Sequence, residues 1–230
     1  EEAITSLVSV SAFDDDVQLL MLTSGGYVKR TRLSAFSNIR SNGLIAISLE
    51  EGDDLRWVRL ALPGDSVLIG SLKGMTIHFR LSDEELRPLG RTARGVRAMN
   101  LREGDRLVSM DVLPAELADR VASIEADDVA ADDDEGDEVA VSEGPWVLVA
   151  SASGLGKRVP VDQFRLQKRA GMGLRGMKFR REGDVLVGLK VLGAGEELLL
   201  VSERGVIVRM QADAIPQQSR AATGVRLQRI

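Results

Sequence analysis

Arginine and lysine recur at fixed places along this 230-residue chain, as binding a polyanion requires. A basic residue stands four positions after a glycine in three segments: Arg30 after Gly26, Arg158 after Gly154 and Arg209 after Gly205. His78 fills the same slot after Gly74. Each segment continues to a second glycine, Gly43, Gly95, Gly173 or Gly224. An arginine precedes it by three or four residues (Arg40, Arg91, Arg169, Arg220), and in three segments another follows by two (Arg97, Arg175, Arg226). Ile45 takes that last place in the first segment. Lys29, Arg32, Arg80, Arg94, Lys157, Lys168 and Lys178 complete the candidate set. Contacts to phosphate need cations and carry little base information. Aromatic residues are 3% of the chain, so a stacking platform for single strands is missing and a belt of charge suits a duplex backbone. The competing expectation is that these charges only keep exposed strand edges apart.

Other chemistry is poorly supplied. The chain has no cysteine, which excludes disulfides, thiolate catalysis and Cys-ligated zinc. Its single histidine, His78, excludes a two-His metal site and reads as a substitute polar strand residue. GMGLRG (171–176) fits Gly-x-Gly-x-x-Gly, but basic residues precede it and a strand follows, so the dinucleotide reading fails. GLGKR (154–158) lacks the first glycine of a phosphate loop and the Ser/Thr after Lys157. The aspartates at 132–138 lack the alternating spacing and terminal glutamate of a calcium loop. Tyr27, Trp57 and Trp146 fall on strand positions and read as packing residues. No cofactor or metal is expected, and no apolar run approaches the 18 residues a membrane helix needs.

The elements that must position the cations repeat with them. Four segments begin with an apolar run, then Ser/Thr-x-x-Gly, at 19–36, 67–80, 147–164 and 198–215. The first glycines are 48, 80 and 51 residues apart. Six residues after the second glycine stands Leu49, Leu101, Phe179 or Ile230. Glu-Gly-Asp follows at 51–53, 103–105 and 182–184, then a last apolar-alternating segment. The opening residues, EEAITSLVSV, match that last segment (compare GDRLVSMDVL, 104–113), so the chain reads as an array begun and ended in mid-repeat. Runs such as VQLLMLT and WVLVAS are strand-like, and Ser-x-x-Gly makes a hairpin turn. About four short strands per 50-residue unit, each unit unable to bury its faces alone, predict an all-β, propeller-like array. The expected division is 1–13 a leftover edge strand, 14–62 and 63–113 blades, 114–144 an acidic flexible insert, and 145–192 and 193–230 blades.

The formal charge of −5 conceals that division. Twelve of the 35 acidic residues lie in 114–144 against one base, Arg120; the remainder carries 29 bases and 23 acids, a net of +6. Blocks of like charge stay solvated, so 125–143 is expected to be a disordered loop or interaction segment.

Three stretches resemble one family. GGYVKRTRLSAFSNIRSNGLIAISLEEGDDL (25–55), GRTARGVRAMNLREGDRLVSM (90–110) and ASGLGKRVPVDQFRLQKRAGMGLRGMKF (152–179) are similar to the C-terminal DNA-wrapping domain of bacterial DNA gyrase A and to its topoisomerase IV relative. The resemblance implies a β-pinwheel whose neighbouring blades exchange an edge strand. It implies that duplex DNA bends around the basic rim and is presented to the cleavage core of the topoisomerase for negative supercoiling. It implies partners, the rest of gyrase A and through it gyrase B, a bacterial cytoplasmic setting beside the nucleoid, and no catalysis in this domain. QKRAGMG (167–173) partly echoes the family's box: Gln167, Lys168, Arg169, Gly171 and Gly173 fit, while Ala170 and Met172 depart. Two alternatives stand beside this: a topoisomerase IV-type substrate-selection domain, and a protein-binding propeller.

Overall fold

Each of the first three repeats folds as a hairpin followed by a third strand, and the computed structural model describes residues 4–123 and 141–228 of the array. The first repeat gives β1 (Gln18–Thr23), β2 (Tyr27–Arg32) and β3 (Leu55–Ala61). The second gives β4 (Ser66–Ser71), β5 (Met75–Arg80), a short helix α1 (Asp83–Leu86), β6 (Val96–Arg97) and β7 (Leu107–Leu113). Helix α2 (Ala115–Ser123) follows. The third repeat gives β8 (Trp146–Ser151), β9 (Leu155–Pro160), β10 (Leu174–Arg175) and β11 (Leu186–Leu192). The fourth gives β12 (Glu197–Val201), β13 (Ile207–Gln211) and β14 (Val225–Arg226).

The hairpin turns explain two of the repeated motifs. Gly26, Gly74, Gly154 and Gly205 have φ between +78° and +94°, which glycine adopts without steric penalty. Their N–H groups close the turn onto the carbonyls of Thr23, Ser71, Ser151 and Ser202. The aspartate of Glu-Gly-Asp caps the same turn. Asp53 accepts from the Gly25 N–H at 2.7 Å, Asp105 from the Lys73 N–H at 3.0 Å, and Asp184 from the Ser153 N–H at 3.0 Å. Asp105 and Asp184 also accept from the hydroxyls of Ser71 and Ser151, each at 2.8 Å. Burial raises the Asp184 pKa, but the bonds from Ser153, Ser151 and Val185 outweigh it and hold the carboxyl below its ordinary value.

Strands are exchanged between repeats. The four-stranded sheets run β3-β1-β2-β6, β7-β4-β5-β10 and β11-β8-β9-β14, and β12 pairs with β13. A blade thus takes three strands from its own repeat and an edge strand from the next. The second glycine permits this: Gly95, Gly173 and Gly224 have φ of +101°, +78° and +80°. A Cβ at Gly95 would stand 2.6 Å from the Val28 carbonyl oxygen, and one at Gly173 2.5 Å from that of Thr76.

The core lies between blades. Leu20, Leu22 and Val28 pack with Val67, Ile69, Ile77 and Phe79 across the first seam. Leu68 and Leu113 pack with Val147, Val149, Leu186 and Leu189 across the second. Leu148 and Leu192 meet Ala212 and Ile215 across the third. Burial of each such leucine stabilises by about 1.5–3 kcal/mol. Trp57 packs half-buried against the first cluster, and Trp146 is buried with its indole N–H on Gln217 Oε1 at 2.9 Å.

Two expected segments differ. Residues 4–13 form no strand and are mostly exposed, with no described strand paired to them. The expected flexible insert at 114–144 starts as an ordered helix. Ala118 and Val121 of α2 are buried, and Arg120 bonds the Gly144 carbonyl and Asp162, each at 2.6 Å. An apolar pair at helical spacing suffices to dock this turn despite the charge around it. The acidic run 124–140 lies outside the described residues, as does Ile230.

Candidate nucleic-acid interface

The exchanged strands bring three of the recurrent arginines to matching places. Arg97 pairs with Tyr27, Arg175 with Met75 and Arg226 with Leu155, in each case the first residue of the second hairpin strand. All three are exposed, while Val96, Leu174 and Val225 before them are wholly or partly buried. Tyr27 supports two cations on its ring, the Arg94 guanidinium at 4.4 Å and that of Arg97 at 5.4 Å. Before each exchanged strand runs a loop fixed by one repeated bond. The Leu89 N–H donates to the Arg30 carbonyl at 2.8 Å, Gln167 to His78 at 2.7 Å and Gln218 to Arg158 at 2.9 Å.

Four residues expected on the rim are buried in the seams instead. Lys29, Arg30, Lys157 and Arg158 are 0%, 2%, 0% and 8% exposed. The Lys29 ammonium donates to the carbonyls of Ala46, Gly90, Arg91 and Ala93. That of Lys157 donates to Ser219, Arg220 and Ala222. Burial, helped by the charge of Arg91, lowers the Lys29 pKa to about 8. Arg30 Nε donates to the Leu86 carbonyl, Arg158 Nε to Ile215 at 2.7 Å, and His78 Nδ1 to Phe164 at 2.6 Å. These carbonyls are equivalent from repeat to repeat, so the basic slot four after the first glycine is a latch onto the next repeat. Arg30 also pairs with Asp83 and Arg158 with Asp213. Burial lowers the Arg30 pKa, and Asp83 partly opposes it.

His78 is the neutral version of this latch. A carbonyl can only accept, so Nδ1 carries the proton and Nε2 accepts from the Ser66 hydroxyl at 2.7 Å. Burial lowers its pKa to about 4; the Phe164 bond opposes the shift and Arg80 adds to it. In the last blade Arg209 is exposed and pairs with Glu197.

The remaining candidates divide by what holds them. Arg32, Arg40, Lys168 and Lys178 are exposed. Arg94 is exposed and pairs with Glu50, and Arg80 pairs with Asp119 of α2 at 2.6 Å. Arg91 and Arg220 are half-buried, and Arg220 Nη1 donates to the Arg175 carbonyl at 3.0 Å. Arg169 spans two blades, with Nε on the Glu85 carbonyl at 2.7 Å and Nη1 on that of Arg97 at 2.6 Å. The box-like stretch from Gln167 to Gly173 is therefore a seam loop. Ala170 is left-handed at φ +62° and donates to the Ala98 carbonyl, and Gly171 accepts from the Asn100 N–H. Met172 at its tip is exposed. Ile77 stands beneath this loop in the place of Lys29 and Lys157.

Two recurrent pairs extend the basic surface beyond the candidate set. Arg87 and Arg165, eight residues before the second glycine, and Arg102 and Arg180, seven after it, are all exposed. Their equal spacing from Gly95 and Gly173 was the available signal. Among the described residues, no three His, Cys, Asp or Glu side chains gather as a metal site. No described helix is long and apolar enough to cross a membrane.

Strand-exchanging blades with arginines at one repeated edge position define a β-propeller of the pinwheel kind with a repeated basic edge. A sequence model described as "DNA gyrase C-terminal domain, beta-propeller" matches residues 18–61, 65–114, 145–192 and 196–230. The chain belongs to that family. It is 55% identical to the DNA gyrase A protein of Synechocystis sp. over 100% of its own length and 27% of that protein. It is 40% identical to the chloroplastic/mitochondrial DNA gyrase A protein of Arabidopsis thaliana, over 100% of the chain and 24% of that protein. It thus spans about a quarter of the curated relatives it matches. A solved DNA gyrase A C-terminal domain shares the fold at TM-score 0.74 and 24% identity, covering 96% of this chain and 64% of that one. The C-terminal domain of DNA topoisomerase IV shares it at TM-score 0.76 and 21% identity, covering 95% and 59%.

Proposed function

We propose that this chain binds duplex DNA through phosphate contacts along its repeated arginines and bends the duplex across successive blades. The supporting observation is the exposure of Arg97, Arg175 and Arg226 at one equivalent position on three consecutive exchanged strands. Exposed Arg32, Arg40, Arg94, Lys168, Lys178 and Arg209 extend the set. Cations repeated at the blade interval hold a helix that curves with the array, and none of them needs to read a base. Bending 20–30 base pairs costs on the order of 1–6 kcal/mol, so each blade must add contacts to offset it. The 55% identity to a gyrase A protein favours the gyrase setting over the topoisomerase IV one. In that setting the domain delivers bent DNA to the cleavage core of gyrase A, working with gyrase B, in the bacterial cytoplasm beside the nucleoid. Cleavage lies elsewhere, and no cofactor acts here.

The test is energy transfer between dyes at the two ends of a duplex of about 30 base pairs, with and without this chain. A rise in transfer that grows with protein concentration is expected. Binding without a rise would refute bending.

A further inference from the structure

Behind the exposed arginines stands a half-buried pair, Arg169 and Arg220. Arg97 and Arg175 lie on β6 and β10, each the edge strand of a four-stranded sheet. An edge carbonyl has no further strand to pair with and takes its donor elsewhere. Here the donor is a guanidinium of the next repeat. Arg169 Nη1 donates to the Arg97 carbonyl at 2.6 Å, and Arg220 Nη1 donates to the Arg175 carbonyl at 3.0 Å. Each donor stands four residues before a second glycine and six before the exposed arginine of its own exchanged strand, Arg175 or Arg226. Arg97, Arg175 and Arg226 are therefore joined in series, with one guanidinium at each of the two joints.

The joints are built alike in other respects. The residue three after the exposed arginine gives its N–H to the carbonyl two before the next second glycine: Asn100 to Gly171 at 2.9 Å, and Lys178 to Ala222 at 3.3 Å. The backbone of each joining arginine is held by a side chain of the preceding repeat. The Arg169 N–H donates to Glu85 Oε2 at 2.9 Å and the Arg220 N–H to Gln163 Oε1 at 3.0 Å. Arg169 Nε also reaches the Glu85 carbonyl at 2.7 Å, so its rigid fork spans two carbonyls. We infer that Arg169 and Arg220 are positioning residues for the bend: they fix each exposed arginine relative to the next and touch no phosphate themselves. This inference rests on the DNA reading above. Bonds from a charged donor are the strong ones, so a joined series holds its contacts on a curve against the stiffness of the duplex. With the joints broken, the edges shift separately and the duplex straightens while keeping the same phosphate contacts. The salt slope counts those contacts and is blind to the curve.

The test measures curve and contacts separately, as end-to-end energy transfer at saturating protein and as the salt slope of binding, on one duplex of about 30 base pairs. Arg169→Lys with Arg220→Lys keeps both charges but replaces each fork by a single point donor. The rise in transfer should fall by about half or more. Arg169→Gln with Arg220→Gln should lower it at least as far and leave the slope at the wild-type value. Gln163→Ala removes no charge and only the bond to the Arg220 N–H, so it serves should the paired variants fail to fold. It should lower the transfer in the same direction, again with the slope unchanged. Wild-type transfer in the folded variants would overturn the inference. A slope flattened by about 1.8 in the glutamine pair would overturn it too, because the two arginines would then meet phosphate directly. A wild type that binds and leaves the duplex straight would refute the bending on which the inference rests, so the two failures are told apart.

Discussion

Replacing Arg97, Arg175 and Arg226 together with glutamine removes one cation from the same place on each of three blades. Counterion release gives the magnitude: each phosphate contact contributes about 0.9 to the slope of log K against log salt. Without these three cations that slope should flatten by about 2.7 units. Between 50 and 200 mM salt, the wild type would then lose about 40-fold more affinity than the variant over the same range. Stability should hardly change. The three side chains are exposed, and surface substitutions usually stay within about 0.5 kcal/mol. Arg97 gives up its contact with the Tyr27 ring, on the order of 0.5–1 kcal/mol when exposed. The assay is fluorescence anisotropy of a labelled duplex of mixed sequence at four or more salt concentrations, beside thermal unfolding of both proteins. An unchanged slope, with the variant folded, would show that the duplex lies elsewhere.

The seam residues should behave in the opposite way. Lys157→Met leaves the carbonyls of Ser219, Arg220 and Ala222 without the ammonium; at about 1–3 kcal/mol per unmet buried group, urea unfolding should report a loss of about 3 kcal/mol or more. The DNA salt slope of its folded fraction should stay at the wild-type value. His78 makes stability depend on pH. Its folded pKa is about 4 against 6.5 for the free side chain, so the unfolded chain binds the extra proton between those values. The stabilisation is therefore complete above about pH 6.5 and is lost as pH falls towards 4, by about 3 kcal/mol. Urea titrations at pH 7 and 4.5 should show that component in the wild type and not in His78→Gln. Asp105→Ala removes the cap on the turn after β4, where the Ser71 hydroxyl and Lys73 N–H donate; a loss of about 1–2 kcal/mol is expected in the same titration.

Local order was legible in the sequence. Gly26, Gly74, Gly154 and Gly205 announce the hairpins because a positive φ suits glycine. Glu-Gly-Asp recurs as a unit because its aspartate caps the neighbouring turn. Arg97, Arg175 and Arg226 could be read as exposed from their place just past a glycine turn, next to an apolar residue. Only the tertiary structure decided which other cations meet solvent. Lys29 and Arg30 of β2 and Lys157 and Arg158 of β9 stood among the candidate surface cations. Yet the loop that leads into each exchanged strand covers them, and the strand interiors are buried on both faces. Lys29, Arg30, Lys157 and Arg158 therefore end against carbonyls of the following repeat, about 55–65 residues away along the chain. A charge shut between sheets survives when several oxygens surround it, and those oxygens come together only when the exchanged strand closes the seam.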